Sequence, residues 1–157
     1  MRFSLIDKMT VLKPGKNAEA VKCWSLDNLV YLDHFPGEPI VPGVLLTESV
    51  AQTLGLLIEK SYYKEFEDST EVYPLLSIIQ KAKFRELVRP GDKTIIKVKL
   101  LSLDYERATG QGSIYVDDKI VMETSLSFLI SLREESKTNP YLSRMNEIKH
   151  IVLRDIE

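Results

Sequence analysis

The sequence is short of several features, and each shortage excludes a class of protein. Among its 157 residues there is one cysteine, Cys23, so no disulfide can form within the chain and a reducing compartment is expected. The 21 Lys and Arg nearly balance the 23 Asp and Glu, which leaves a net charge of −2. Because nucleic-acid-binding proteins usually carry a strong basic field, we expect no nucleic-acid partner.

Long apolar runs are also absent. The longest, near residues 44–58, is interrupted by Glu48 and Gln52 and is shorter than the roughly 20 apolar residues that cross a membrane as a helix. Charges at positions 2, 7 and 8 interrupt any secretory leader. We therefore expect a cytoplasmic protein with no membrane span. Its hydrophobic content of 44% is enough for one core.

Prolines are few, but three of the seven stand together in residues 34–43, where they exclude helix and predict a stiff loop. Before this loop, two short stretches, 3–12 and 17–26, flank the turn sequence KPGK and predict a hairpin. After it, apolar residues from 44 to about 63 cover most of a helical wheel. This pattern predicts a long helix that is buried on nearly all sides.

Strand patterns fill the second half of the chain, over residues 75–84, 94–103, 108–116 and 119–132. One helix cannot cover both faces of a flat six-stranded sheet. We therefore predict an α+β fold in which a strongly curved antiparallel sheet wraps around one long central helix, over residues 1–132. The charged extension, residues 133–157, is expected to form a short amphipathic helix after Pro140 or a partly ordered tail.

The segment HFPGEPIVPGVLLTESVAQ, residues 34–52, resembles a known family. It is similar to the signature HFPGxPxxPGVLxxEAxAQ of the β-hydroxyacyl-(acyl carrier protein) dehydratases of type II fatty-acid synthesis, the FabZ group. The segments KAKFRELVRPGDKTIIKV and VDDKIVMETSLSFLI also resemble this family, so the similarity covers about residues 3–132. It implies the hot-dog fold, no cofactor, and dehydration of 3-hydroxyacyl-(acyl carrier protein) thioesters to trans-2-enoyl thioesters in fatty-acid or related lipid or polyketide biosynthesis.

Dehydration needs a base for the C2 proton and an acid for the departing C3 hydroxyl, held on either side of the acyl chain. His34 is the one histidine outside the extension and, in keeping with the family, is predicted to be the base. Glu48 is predicted to be the acid, because burial favours a protonated carboxyl group, although the nearby helix N-terminus opposes this. Gln52, one turn further along, is expected to orient the Glu48 carboxyl group.

The start of the predicted helix supplies a third function. Pro42 ends the loop and Gly43 begins the helix, so the backbone N–H groups of Gly43 and Val44 are predicted to be free to bind the thioester oxygen as negative charge develops on it. Glycine would also leave room for the substrate to come close. A metal site is not expected, since two histidines and one cysteine far apart lack clustered ligand spacing.

Partners follow from a basic cluster and from the resemblance. Basic residues gather around one predicted strand and its turn: Lys81, Lys83, Arg85 and Arg89. This cluster is either a solvated face or a docking rim for an acidic acyl carrier protein, which presents the acyl chain on a phosphopantetheine arm. The resemblance further implies a homodimer, or a trimer of dimers, in which the His and Glu of one site come from opposite subunits.

Two alternatives stay open. One is a non-catalytic acyl-binding hot-dog subunit, which Asp33 leaves in play because the family usually has glycine before the histidine. The other is a hot-dog acyl-CoA hydratase or thioesterase, although the HFPGxPxxPGV pattern is not theirs. Cys23 and Trp24 are predicted to be buried packing residues.

Overall fold

The structure, a computed structural model, describes residues 3–67, 71–132 and 140–156, with the backbone alone for 140–145. Its elements in chain order are strands β1 (Lys8–Lys13) and β2 (Asn17–Cys23), a 3-10 helix (Leu29–Leu32), helix α1 (Gly43–Phe66), strands β3 (Val72–Phe84), β4 (Lys93–Leu103), β5 (Arg107–Val116) and β6 (Lys119–Leu132), and helix α2 (Pro140–Leu153). The six strands form one antiparallel sheet in the order β1-β2-β4-β5-β6-β3. Helix α1 contacts all six strands, so the sheet curves around it as predicted.

The opening hairpin forms where the turn sequence predicts it. Lys16 N–H donates to Lys13 O over 2.9 Å, and Gly15 takes a φ of 80°, which glycine adopts without strain. The first strand is shorter than predicted, because residues 3–6 leave the sheet and run to α1. Of their three apolar side chains, Leu5 and Ile6 are buried there and Phe3 is exposed.

Helix α1 is buried on its polar positions as well as its apolar ones. Four of its hydroxyl side chains donate to the carbonyl oxygen one turn earlier: Thr47, Ser49, Thr53 and Ser61. Each hydroxyl is thereby satisfied without water, which makes its burial tolerable. A count of apolar residues alone underestimates how much of this helix the sheet covers.

Two glycines of β5 allow α1 to lie close to the middle of the sheet. A Cβ atom at Gly112 would overlap the side chain of Val50, and one at Gly110 would lie 2.6 Å from Leu54 Cδ2. Neighbouring inward positions on β4 and β5 are filled by Ile96 and by other fully buried side chains. The predicted alternation of inward and outward residues in β4 is confirmed.

Two predictions about individual residues have opposite outcomes. Trp24 is buried, and its Nε1–H donates to Thr94 Oγ1 over 3.1 Å. Cys23 is exposed, so the prediction of a buried thiol is wrong. The buried residues of β2 are Ala18 and Ala20, and Cys23 alternates out of phase with them, so it lies on the outer face.

Two further elements complete the fold. The 3-10 helix just before His34 was not predicted; the side chain of Asn28 caps it by accepting from Val30 N–H. Helix α2 confirms the helix predicted after Pro140, and it packs on β1 with Val152 and Leu153 buried. Residues 133–139 lie outside the described part, and the boundary at 132/133 stays a prediction. Among the described residues, no helix is both long and apolar enough to span a membrane.

The close approach of α1 to β5 generates a stability test. Gly112→Ala should lower the free energy of unfolding by about 1–3 kcal/mol, because the added methyl group overlaps Val50. The matched control is Gly55→Ala in α1, where a Cβ atom meets nothing within 4 Å. That change should be neutral or stabilising by up to about 1 kcal/mol, since alanine is the better helix former. Urea unfolding of both variants checks this; equal effects would contradict the close packing.

Candidate active site

The loop that carries His34 is built on a tight turn. Residues Phe35-Pro36-Gly37-Glu38 form it, with Glu38 N–H donating to Phe35 O over 3.0 Å and Gly37 at a φ of 81°. Proline second and glycine third is what a type II turn requires. Ile40 N–H then donates to His34 O over 3.0 Å, which closes the loop back on the histidine. The peptide bond between His34 and Phe35 is cis.

This loop is also fastened to the connection between β3 and β4. Val41 N–H donates to Val88 O over 2.8 Å, and the Arg89 guanidinium pairs with the Glu38 carboxylate at 2.7 Å. On the other side, His34 N–H donates to Val30 O of the 3-10 helix over 3.1 Å. The loop is therefore tied to the rest of the chain at both ends, in agreement with the stiffness predicted from its prolines.

The His34 ring has a defined tautomer. Its Nδ1 lies 3.0 Å from Ile40 O, and because a carbonyl oxygen can only accept, Nδ1 carries the proton. Nε2 is then unprotonated in the neutral ring and can accept a proton from a substrate. The ring stacks on Phe35, with centroids 4.2 Å apart, and is partly exposed. This geometry suits a general base.

Glu48 and Gln52 contact each other one turn apart on α1. Gln52 Nε2 donates to Glu48 Oε1 over 3.0 Å, which is the contact predicted from their spacing. The amide orientation of Gln52 is set by the N-terminal segment: Leu5 N–H donates to Gln52 Oε1 over 2.8 Å, and Gln52 Nε2 also donates to Phe3 O over 3.1 Å. The sequence carried no signal for this support from residues 3–5.

At the start of α1, Gly43 combines a free backbone amide group with a close contact to β3. Within the described part of the chain, the amide groups of Gly43 and Val44 have no hydrogen-bond acceptor, and Pro42 offers no side-chain cap. These donors are free, as expected. A Cβ atom at Gly43 would also lie 2.8 Å from the ring of Phe84 on β3, so the glycine leaves room for this ring as well.

A cavity of about 600 Å³ runs along one side of α1. Glu48, Gln52 and Glu59 of α1 line it, and Glu59 lies about three turns along the helix from Glu48. Its remaining walls come from residues 3–6, the first part of β3, Phe128 and helix α2. The predicted acid therefore faces a cavity within the usual size range of small-molecule sites. His34, Gly43 and Val44 are described residues that do not line it, so one chain does not bring the predicted acid and base into a common cavity.

The basic cluster is divided by ion pairs. Arg85 pairs with Glu123 on β6, and Arg89 pairs with Glu38, as described above. Lys81 and Lys83 are exposed on β3 and form no ion pair with any residue in the described ranges. The net positive charge of this surface therefore comes mainly from the two lysines.

Tyr31 lies close to the candidate site in sequence, three residues before His34. It is buried in the 3-10 helix before His34, and its hydroxyl group has no hydrogen-bond partner among the described residues. Burial, assisted by the negative charge of Asp92, raises the pKa of Tyr31 to about 12. The hydroxyl group is therefore neutral at physiological pH.

A comparison with protein-family models places residues 1–125 in the FabA-like domain family. The chain belongs to this family. Curated relatives include the 3-hydroxyacyl-[acyl-carrier-protein] dehydratases FabZ of Caldicellulosiruptor saccharolyticus and Campylobacter concisus. The first is 34% identical over 128 residues, covering 82% of this chain and 88% of the relative. The second is 38% identical over 130 residues, covering 82% and 87%. The predicted resemblance is confirmed.

Solved structures support the fold at low sequence identity. The dehydratase heterocomplex ApeI:P from Xenorhabdus doucetiae matches with a TM-score of 0.66 and 15% identity, covering 92% of this chain and 90% of that one. The phenylacetic acid degradation protein PaaI from Thermus thermophilus matches with a TM-score of 0.56 and 12% identity, covering 78% and 90%. The predicted hot-dog fold is confirmed.

The contact between Gln52 and Glu48 can be tested by kinetics. Gln52→Leu keeps the side-chain size but removes the donor to Glu48. If Glu48 is the predicted acid, kcat should fall about 10- to 100-fold while KM changes little, because a misplaced acid slows the chemical step. Gln111→Leu makes the same change at an exposed position of β5 and should leave both constants unchanged. An unaltered kcat in Gln52→Leu would show that Glu48 is oriented without Gln52.

Proposed function

We propose that this chain dehydrates 3-hydroxyacyl thioesters of acyl carrier protein to trans-2-enoyl thioesters, with His34 as base and Glu48 as acid. The observation that carries the proposal is the pairing of an ordered His34 loop with a Glu48 that faces an acyl-sized cavity, in a FabA-like chain. The curated relatives named above are dehydratases of this class and match most of the chain. The activity is that of a hydro-lyase.

In the reaction, Nε2 of His34 takes the C2 proton, and the electrons left on carbon form the C2–C3 double bond. The C3–oxygen bond breaks, and the departing hydroxyl takes a proton from Glu48 to leave as water. Negative charge that develops on the thioester oxygen is stabilised by the free N–H groups of Gly43 and Val44. His34 ends protonated and Glu48 ionised, and exchange with solvent restores both.

The active site is completed by a second copy of the chain. Two observations support this: His34 does not line the cavity of its own chain, and β3 is an edge strand with apolar residues exposed on both faces. From Leu75 onwards these include Ile78, Ile79 and Phe84, each at least half exposed. A long apolar edge is unusual in a monomer and is a natural surface for a dimer, which could associate further into a trimer of dimers.

Acyl carrier protein docks, in this proposal, on the β3 surface that carries Lys81 and Lys83. These two cations have no acidic partner in the described ranges and are free to meet an acidic protein, whereas Arg85 and Arg89 are held in ion pairs. The pathway is fatty-acid or related biosynthesis, as for the FabZ relatives, and the cytoplasm is the expected compartment. The two alternatives are not favoured: the curated relatives named above are dehydratases, and His34 and Glu48 are both present.

A substrate assay tests the activity. We expect the protein to convert 3-hydroxyacyl-(acyl carrier protein) to the enoyl product with loss of one water, and to hydrate the enoyl product in reverse, both read by mass spectrometry. His34→Ala and Glu48→Ala should each lose at least about 100-fold in kcat, since general acid–base groups contribute that much. If no substrate changes mass in either direction, the chain is a binding subunit.

Mixing the two inactive variants tests the shared site. If His34 and Glu48 of one site come from different chains, mixed dimers contain one intact site, and up to about a quarter of the wild-type activity should return after subunit exchange. Exchange itself is followed with differently tagged subunits. Full exchange without recovered activity would place both residues in one chain.

The β3 edge is tested by a charge. Ile79→Lys places a cation on this apolar edge, so the protein should become monomeric in analytical ultracentrifugation and lose activity with it. The matched control is Leu101→Lys on β4, which also replaces a half-exposed apolar residue but lies away from the edge. The control should stay dimeric and active. A monomeric wild-type protein would contradict the proposed shared site.

A further inference from the structure

Helix α2 lines the cavity beside Glu59, which lies about three turns of α1 away from Glu48. Three of its residues line the cavity: Ile148, Lys149 and Val152. Val152 is buried, and Ile148 packs against the core. Just after the end of the helix, Asp155 forms an ion pair of 2.5 Å with Lys8 on β1. Helix α2 lies beyond residues 1–125, the part that matches the FabA-like domain.

A nearly buried ion pair joins α2 to α1 at the same place. Lys149 Nζ lies 2.7 Å from Glu59 Oε2, and Glu59 is 8% exposed. Both residues line the cavity. An unpaired carboxylate in this position would be strongly unfavourable, so the position of Lys149, and with it this turn of α2, is tied to α1. The ion pair therefore fixes this part of the cavity lining in place.

The length of the cavity can be read along α1. Glu59 follows Glu48 by eleven residues, a rise of about 16 Å in an α-helix. An extended alkyl chain advances about 1.25 Å per carbon, as follows from C–C bonds of about 1.5 Å at tetrahedral angles. About a dozen carbons beyond the reacting centre would thus bring the end of an acyl chain to Ile148 and the ion pair.

We propose that α2 sets the upper limit of acyl length, with Ile148, Val152 and the Glu59–Lys149 ion pair as the end wall. This inference rests on the proposed function, because it takes the cavity to be the acyl site. A terminal methyl group cannot replace either partner of the ion pair, and the pair cannot be separated cheaply, so longer chains are excluded rather than accommodated. These residues are specificity-determining and take no part in the proton transfers.

The test compares two isoleucines of one helix. Ile148→Ala removes part of the end wall, and Ile151→Ala makes the same change on the exposed side of α2. Turnover is measured on 3-hydroxyacyl substrates of about 6 to 20 carbons, a range that brackets the length estimated from the helix rise. In Ile148→Ala, kcat/KM for chains just beyond the wild-type limit should rise at least about 10-fold, the usual effect of a methylene group in a closed pocket. Shorter chains should stay within about 2-fold, and Ile151→Ala should keep the wild-type profile.

A binding series separates this inference from the proposed function. Saturated acyl-pantetheines, which lack the 3-hydroxyl group and cannot react, are titrated by calorimetry against wild type, Ile148→Ala and Lys149→Met, whose folding is checked by thermal melting. The length at which affinity stops rising should increase in both variants and not in Ile151→Ala.

If the wild type binds these chains with a length limit that moves in this way but turns over no substrate, the end wall stands and the dehydratase proposal fails. If turnover is present and the ratio of long-chain to short-chain activity is the same in Ile148→Ala and wild type, the end-wall inference is wrong. Absence of any acyl binding would overturn it as well.

Discussion

The seating of α1 against the middle of the sheet is the constraint on which the rest of the structure depends. Because Gly110 and Gly112 have no side chains, Val50 and Leu54 pack directly on the sheet backbone, and the strands curve around the helix. Once α1 is fixed, Glu48 and Glu59 are fixed with it, because a helix is rigid over three turns. The free amide groups of Gly43 and Val44 are placed by the same element. A helix that lay further from the sheet would change the positions of Glu48, of these amide groups and of the cavity together.

Distant parts of the chain then hold the functional groups of a hot-dog dehydratase in place. Residues 3–5 orient Gln52, the β3–β4 connection holds the His34 loop through Val88 and Arg89, and α2 pairs with Glu59 beside the cavity. None of these supports lies next in sequence to the group that it positions. The candidate site residues therefore lie on one helix and one loop, while their positions depend on contacts made across the whole fold.

Much of the fold could be predicted from the sequence, because its signals are local: KPGK makes a type II turn, the prolines around His34 exclude helix, and alternation marks β4. The contact of Glu48 with Gln52 was predictable from helical spacing. The close contact of Gly43 with Phe84 was not, since Phe84 comes from another element. The exposure of Cys23 was missed because the pairing phase of β2 is set by its neighbours. The ion pair between Glu59 and Lys149 joins residues ninety positions apart, and no local pattern in the sequence predicts it.

Trp24 has a consequence for how this protein can be observed. It is the chain's single tryptophan, it is buried, and its backbone exchanges hydrogen bonds with Gly91 and Asp92 in the connection that also anchors the His34 loop. It does not line the cavity. Its fluorescence is therefore a native optical probe of this junction. An acyl chain in the cavity would not contact Trp24, but loosening of the connection that holds the His34 loop would change its emission.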